Sequence, residues 1–321
     1  MSEETPHTDD AYPADQFRVL TLDGGGAKGV YTLGLLREFE ATLDVPLWKF
    51  FNAIYGTSTG SIIASLLSLG HTAAESLELY LKHVPTILKP ILPKRRSRAL
   101  ATVADELFGE SRFTDFKTFV GIVATNWTLE RPLIFKSSVE AAYGMKATFA
   151  PGFGCKISEA VQASSSASPF FAKFEIDLGT AGKVEARDGG FAANNPSLFA
   201  ITDALKAFKK TPSQVRLLSL GVGHYPRPKR SVIMRLLEWC VDRIPSAHLL
   251  QKTLSVNANT TEQLVSFLCD SVPHVRVSDR FETPDLATDF LEYRTHKLEL
   301  LKQKGRDSFG KYETSIKALF T

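Results

Sequence analysis

The fold is decided by the stretch Ile54-Tyr55-Gly56-Thr57-Ser58-Thr59-Gly60. Apolar residues that suit a buried strand precede it, and the residues that follow, 61–69, suit an apolar helix. The pattern G-x-S-x-G is typical of a nucleophile elbow, a sharp strand-to-helix turn that exposes a serine hydroxyl. Its glycines permit the steep bend and the close approach of neighbouring elements. The pattern predicts a nucleophile at Ser58, and its alternative interpretation is a glycine-rich turn before a buried helix.

A second glycine-rich turn lies earlier, after an apolar stretch at 17–22, and reads Asp23-Gly24-Gly25-Gly26-Ala27-Lys28-Gly29. A helix is predicted to follow it. Successive glycines before a helix expose several backbone N–H groups, which favours anion binding. The turn has neither the G-x-G-x-x-G spacing nor the Gly-Lys-Ser/Thr ending of nucleotide loops. The serine that follows favours an oxyanion as its occupant.

Strands and helices alternate through residue 221, which predicts an α/β fold with a mostly parallel central sheet. Further strands are predicted at 119–125, 132–135, 183–187 and 215–220, and helices at 73–83, 157–163 and 197–209. Beyond residue 221, helices are predicted at 231–242, 247–269 and 286–304, with a short strand at 274–277. We expect a disordered tail at 1–15, a catalytic core at 16–221, and a mainly helical C-terminal region at 222–321. That region is expected to pack on the core as a lid, sensor or oligomer surface.

The composition describes an ordinary globular protein of 321 residues, 44% hydrophobic, with a net charge of +3. This charge does not call for a nucleic-acid polymer as partner. Three scattered cysteines suit neither a disulfide framework nor a zinc site, and no metal-ligand spacing is present. No run approaches the roughly 18 apolar residues of a membrane span, and the acidic N-terminus is no signal peptide. We expect a soluble, cytoplasmic protein whose membrane contact is peripheral.

Two basic stretches contain prolines, at 89–98 and at 226–230. Such runs are usually solvated loops. The alternative is a surface for anionic lipid head groups or another polyanion.

A serine hydroxyl needs a neighbouring base, which is most often a histidine. Of the seven histidines, His224 alone is well placed just after a strand, while His71 and His83 flank a helix and are expected at the surface. Asp188 ends a predicted strand and precedes Gly189-Gly190, so its carboxylate is a candidate to take the proton from Ser58 directly. The alternative for Asp188 is an aspartate that opens a common Gly-Gly turn.

Three motifs in this order, at 23–29, 56–60 and 188–190, resemble those of patatin-like phospholipases. The resemblance extends to 192–196 and to the Ser/Ala-rich stretch 163–169, and it covers residues 17–221. It implies a three-layer fold whose sheet is flanked by helices. It also implies a dyad of Ser58 as nucleophile and Asp188 as base, with an oxyanion hole formed by the amides of Gly24, Gly25 and Gly26. The implied substrates are glycerolipid esters, with no metal or cofactor.

A narrower resemblance is to the phospholipases of bacterial anti-phage systems, which a cyclic nucleotide activates. It implies a membrane phospholipid substrate, a cyclic di- or oligonucleotide activator and contact with the inner membrane in the active state. We also expect a homo-oligomer. Two other classes stay open from the residues themselves. One is a lipid-binding or storage protein with little turnover, and the other is an α/β-hydrolase that uses Ser58, Asp188 and His224.

Overall fold

A mixed β-sheet forms the centre of the computed structural model, which describes residues 13, 15–138, 141, 149–151, 154–178, 182–226 and 245–321. The order of its strands is β5-β4-β3-β2-β1-β8-β9, and β7 pairs with both β3 and β6. The strands at the centre, β3-β2-β1-β8-β9, are all parallel, and antiparallel pairing is confined to β3–β4, β3–β7 and β6–β7. The strands are β1 (Phe17–Leu22), β2 (Ala53–Thr57), β3 (Phe119–Asn126), β4 (Arg131–Lys136), β5 (Phe149–Pro151), β6 (Phe174–Asp177), β7 (Lys183–Asp188), β8 (Val215–Leu220) and β9 (His274–Val277).

Helices cover the sheet and alternate with its central strands. The described helices are α1 (Gly29–Leu43), α2 (Leu47–Phe50), α3 (Thr59–Leu69), α4 (Ala73–Leu88), α5 (Pro93–Phe108), α6 (Ile157–Ser164), α7 (Gly190–Ala193), α8 (Ser197–Lys206), α9 (Pro245–Leu268) and α10 (Thr295–Phe320). Strands β1 and β2 are buried almost throughout, as parallel strands covered on both faces are. The predicted fold class, a layered α/β structure around a largely parallel sheet, is confirmed. None of the described helices has both the length and the apolar character needed to cross a bilayer.

The segment between α4 and α5 differs from the expectation. Helix α4 continues past the predicted end at His83 and through Pro85 to Leu88, and residues 93–98, expected in a loop, form the first turns of α5. An internal proline removes one backbone hydrogen bond, which the packing of a well-buried helix can offset. Pro93 stands at the start of α5, where the missing N–H has no helical partner in any case.

The C-terminal region takes part in the sheet as well as covering it. The predicted strand at 274–277 is β9, which extends the sheet beside β8. Helix α10 begins at Thr295, later than predicted, and packs closely along α1. At their crossing a Cβ on Gly305 would lie 2.0 Å from the carbonyl oxygen of Tyr31, and one on Gly34 would lie 2.4 Å from that of Lys302. The tail before residue 13, the basic residues 227–230 and the predicted helix at 231–242 lie outside the described residues.

Candidate active site

The elbow joins β2 to α3 at Ser58, whose backbone has φ 52° and ψ −119°. A positive φ is uncommon for a residue with a side chain and costs about 1–3 kcal/mol, so the surrounding structure must hold it. The flanking glycines explain how the chain fits. A Cβ on Gly56 would lie 2.2 Å from the oxygen of Gly60, and one on Gly60 would lie 2.2 Å from the oxygen of Leu22. The bend therefore requires both glycines.

The structure brings Asp188 directly to Ser58. The Ser58 hydroxyl donates a hydrogen bond to Asp188 Oδ2 at 2.7 Å, although 130 positions separate the two residues. Sheet register accounts for the encounter. Asp188, the last residue of β7, pairs with Ala124 of β3, and β3 runs parallel to β2, which leads into the elbow. The Thr125 hydroxyl also donates to the Asp188 carbonyl at 2.9 Å.

Burial makes the Asp188 carboxylate an unusually basic one. The residue is 2% exposed. Its Oδ1 accepts the Gly190 N–H at 2.7 Å and its Oδ2 accepts the Ser58 hydroxyl. Desolvation raises the pKa of Asp188 to about 6, and the two hydrogen bonds oppose that rise. Near neutral pH the group is mostly deprotonated yet binds a proton more tightly than an ordinary carboxylate, as a general base should.

Ser164 connects the elbow to the segment that carries Asp188. Its hydroxyl accepts the N–H of Ser58 at 2.8 Å and donates to the carbonyl of Val123 at 2.6 Å. Its carbonyl accepts the N–H of Gly189 at 3.0 Å. The sequence had indicated the stretch 163–169 only through a family resemblance. The structure shows that Ser164 positions both members of the pair.

The Gly24–Gly26 turn borders the same space, but its three amides are not equivalent. The Gly24 N–H donates to the carbonyl of Asn194 at 3.1 Å. Within the described part of the chain, the N–H groups of Gly25 and Gly26 donate to no protein acceptor, and both glycines line the cavity beside Ser58. Two free donors next to a serine hydroxyl are suited to hold an oxyanion.

The C-terminal region holds both ends of the glycine turn. At one end, Arg276 of β9 makes a bidentate ion pair with Asp23, at 2.8 Å and 2.6 Å, and both side chains are largely buried. At the other end, the carbonyl of Phe290 accepts the N–H of Ala27 at 3.0 Å. The side chain of Asn257 in α9 adds a third link, because it accepts the N–H of Asn194 at 2.7 Å. None of these links was predicted from the sequence.

A half-open cavity runs from the Ser58–Asp188 pair between helices α3, α4, α5 and α6, and encloses about 920 Å³ of empty space including its mouth. Its wall is mainly apolar and includes Ile62, Leu66, Leu79, Val84, Ile87, Leu88, Leu100, Val103, Leu107, Phe108, Val161 and Phe171. Such a cavity suits an extended hydrocarbon chain better than a polar molecule.

His83 lies in the cavity wall, so its expected position at the surface is wrong. The side chain is buried, and burial, as the largest influence, lowers its pKa. The signal was present in the sequence, because Tyr80, His83, Val84 and Ile87 follow the i, i+3, i+4, i+7 spacing of one helix face. Tyr80 on that face donates to the carbonyl of Gly26 at 2.8 Å, which ties α4 to the glycine turn.

His224, the alternative base, is placed elsewhere. Its backbone N–H donates to the carbonyl of Asp279 at 2.8 Å, and the residue is not part of the cavity wall. Burial, together with the positive charges of Lys28, Arg280 and Arg276, lowers its pKa. In the ranges that the structure covers, no histidine is hydrogen-bonded to Ser58 or Asp188. The geometry therefore joins the serine to an aspartate and gives the triad no support.

Comparisons with known proteins place this chain in a family. The family model described as "Patatin-like phospholipase" matches residues 20–201. The chain is 48% identical over 301 residues to the cUMP-AMP-activated phospholipase of Escherichia coli, a match that covers 94% of this chain and 92% of the relative. It is 28% identical over 238 residues to the cGAMP-activated phospholipase of Vibrio cholerae, which covers 64% of each chain. The solved structure of VipD from Legionella pneumophila aligns with a TM-score of 0.48 and 12% identity, over 95% of this chain and 68% of VipD. The chain belongs to the patatin-like phospholipase family.

Proposed function

We propose that this protein hydrolyses acyl ester bonds of membrane phospholipids through an acyl-enzyme on Ser58, and that a cyclic dinucleotide of uracil and adenine activates it. The observation that carries the hydrolase proposal is the 2.7 Å hydrogen bond from Ser58 to a buried Asp188 in the wall of an apolar cavity. The activator is proposed from the name of the Escherichia coli relative, to which this chain is similar over nearly its whole length.

Acylation begins when Asp188 Oδ2 takes the hydroxyl proton and Ser58 Oγ attacks the ester carbonyl carbon. The carbonyl oxygen becomes an oxyanion and receives hydrogen bonds from the N–H groups of Gly25 and Gly26. The positive end of α3, which begins next to the serine, favours the same charge. The tetrahedral intermediate then collapses, and the lysophospholipid leaves with the proton that Asp188 had taken.

Deacylation repeats these steps with water in place of the lipid alcohol. Asp188 accepts a proton from water while the water oxygen attacks the carbonyl carbon of the acyl-serine. The N–H groups of Gly25 and Gly26 hold the second oxyanion. The products are a fatty acid and the free Ser58 hydroxyl. The apolar cavity holds the acyl chain during both halves of the reaction.

We place the enzyme in the cytoplasm, in peripheral contact with the inner membrane when it is active. The relative's name implies a lipid substrate that resides in a bilayer. The enzyme must therefore meet an interface, and the apolar cavity can draw one acyl chain out of it.

The test measures fatty-acid release from phospholipid vesicles, with and without cyclic UMP–AMP, for wild type, Ser58→Ala and Asp188→Asn. Ser213→Ala is the matched control, since Ser213 is exposed and does not line the cavity. We expect wild type and control to release fatty acid when the nucleotide is added, and the two site variants to be slower by about 10³-fold or more.

Equal rates for all four proteins would refute the dyad. A fluorophosphonate probe separates the enzyme from a lipid-storage protein, because only an activated Ser58 becomes labelled. Failure of the probe to label wild type, with or without nucleotide, would favour storage.

A further inference from the structure

The turn between α4 and α5 presents apolar side chains to water. Ile91 is 85% exposed and Leu92 is 56% exposed, and they are adjacent in the chain. Large aliphatic side chains lose about 1.5–3 kcal/mol of favourable transfer when they stay in water. Transfer of these two adjacent side chains from water into an apolar phase would therefore be favourable. We call residues 89–98 the α4–α5 patch.

The charges that flank this pair in the sequence are all of one sign. Between Glu78 and Asp105 the sequence has six lysines and arginines and no acidic residue. Within the described residues, the exposed Lys89, Lys94, Arg95 and Arg98 form no ion pair, whereas other surface lysines, such as Lys82, Lys156 and Lys173, pair with glutamates. Apart from Arg96, which lies near Asp289, the cations of the patch thus form a surface without paired carboxylates around an apolar tip.

The position of these cations works against local stability. Lys94, Arg95 and Arg96 stand in the first turn of α5, which contains no acidic residue. Positive charge at a helix N-terminus opposes the helix dipole by about 0.3–1 kcal/mol per charge. An arrangement that weakens the helix is better explained by an anionic partner outside the protein than by folding.

The patch is ordered and adjoins the cavity. Arg96 closes the turn by donating to the carbonyl of Pro90 at 2.6 Å. Ser97 accepts the N–H of Ala172 at 2.8 Å, and Phe171 lines the cavity. Leu88, the last residue of α4, also lines the cavity, and the patch begins at the next residue. A partner that binds to the α4–α5 patch would therefore lie next to the end of the cavity wall.

We propose that the α4–α5 patch docks the enzyme on an anionic bilayer, with Ile91 and Leu92 inserted among the lipids and the surrounding cations on their head groups. This proposal rests on the proposed function, since it assigns that function its membrane contact. A free nucleotide would use the cations alone, but the exposed aliphatic pair at their centre is suited to lipid. Each cation near an anionic membrane strengthens binding by about fivefold.

Flotation with vesicles tests the proposal. Vesicles of phosphatidylethanolamine with phosphatidylglycerol, or with phosphatidylcholine in its place, are mixed with the full chain, with and without cyclic UMP–AMP. The variants are Lys94→Gln/Arg95→Gln and Ile91→Ser/Leu92→Ser. Lys206→Gln/Lys209→Gln is the charge-matched control, because both lysines are exposed and outside the patch, one at the end of α8 and one just after it.

We expect Lys94→Gln/Arg95→Gln to bind phosphatidylglycerol vesicles about 25-fold more weakly, from two cations at about fivefold each. The aliphatic variant should bind both kinds of vesicle at least about tenfold more weakly, and the control should bind like wild type. Hydrolysis of a soluble short-chain ester should be unchanged in all three, since none of these residues lines the cavity.

Vesicle binding by the patch variants equal to that of wild type, or no binding by wild type in any condition, overturns the docking proposal. Variants that keep vesicle binding but lose the nucleotide response would assign the patch to the nucleotide and also overturn it. A failure of the proposed function is distinct, because then wild type hydrolyses neither the soluble ester nor the vesicle lipid.

Discussion

Replacing Asp188 by asparagine is expected to abolish ester hydrolysis and to stabilise the fold at neutral pH. The wild-type carboxylate is buried with two hydrogen bonds and, among the residues that the structure describes, no cation beside it, and burial raises its pKa from 3.8 to about 6. Asparagine has the same shape and no charge. Its carbonyl can accept the Gly190 N–H, and its amide can donate to Ser58, so both hydrogen bonds at this side chain are kept.

The size of the gain follows from the pKa difference between the folded and unfolded states. A rise of about two units penalises the ionised folded form by about 3 kcal/mol. Because the folded state binds the proton more tightly, wild-type stability falls as pH rises from about 4 to about 6 and is level above that. The advantage of Asp188→Asn should therefore be about 1 kcal/mol at about pH 4.5 and approach about 3 kcal/mol at about pH 8.

Equilibrium urea denaturation at these two pH values measures both numbers. Asp105→Asn is the control, since it removes an exposed carboxylate from α5, and we expect a change of no more than about 0.5 kcal/mol. Equal stability of wild type and Asp188→Asn at the higher pH would refute the reasoning. So would a gain that is the same at both pH values, because it would have a cause other than ionisation.

Three further predictions concern the base, the glycine turn and its anchor. The kcat/KM for a soluble ester should rise with pH through about 6, as Asp188 loses its proton, and then level off; a profile that is flat down to about pH 5 would contradict this role. Gly25→Ala should lower kcat by about 10²-fold, because its Cβ would lie 2.6 Å from Val222 Cγ2 and displace an oxyanion donor. Gly25→Ala/Val222→Ala should recover part of the rate, and no recovery would argue against this steric cause. Arg276→Met should lower the free energy of unfolding by about 3–5 kcal/mol, because the Asp23 carboxylate is left buried and unpaired. The double variant Asp23→Asn/Arg276→Met should recover most of this loss. Urea denaturation of the two variants measures both effects.

The sequence predicts best what is encoded locally. The elbow is a strand, a turn with two necessary glycines and a helix, and all of these can be read from residues 53–69. The central strands are equally clear, because parallel strands buried on both faces are continuously apolar. The strand at 274–277 was also found, although its partner β8 lies more than 50 positions away.

The rest depends on contacts between distant segments. The meeting of Ser58 with Asp188 follows from the pairing of β7 with β3, and no local pattern encodes that register. The residues alone made Asp188 a candidate base but left the alternative of an ordinary turn open, and the family resemblance favoured the base. In the same way, the Gly24 N–H donates to the carbonyl of Asn194. Of the three amides expected in the oxyanion hole, those of Gly25 and Gly26 remain as donors.

The ion pair between Arg276 and Asp23 has a consequence for how this chain can be divided. The family model ends at residue 201, but the turn at the start of that region is held by a strand at 274–277. A fragment cut at the end of the matched region would keep Ser58, Asp188 and the glycine turn but lose the ion pair that holds this turn. We therefore expect that residues 20–201 alone, or joined to another domain, would not keep the activity. A chain with a different C-terminal region would need either another cation beside Asp23 or a neutral residue in place of this aspartate.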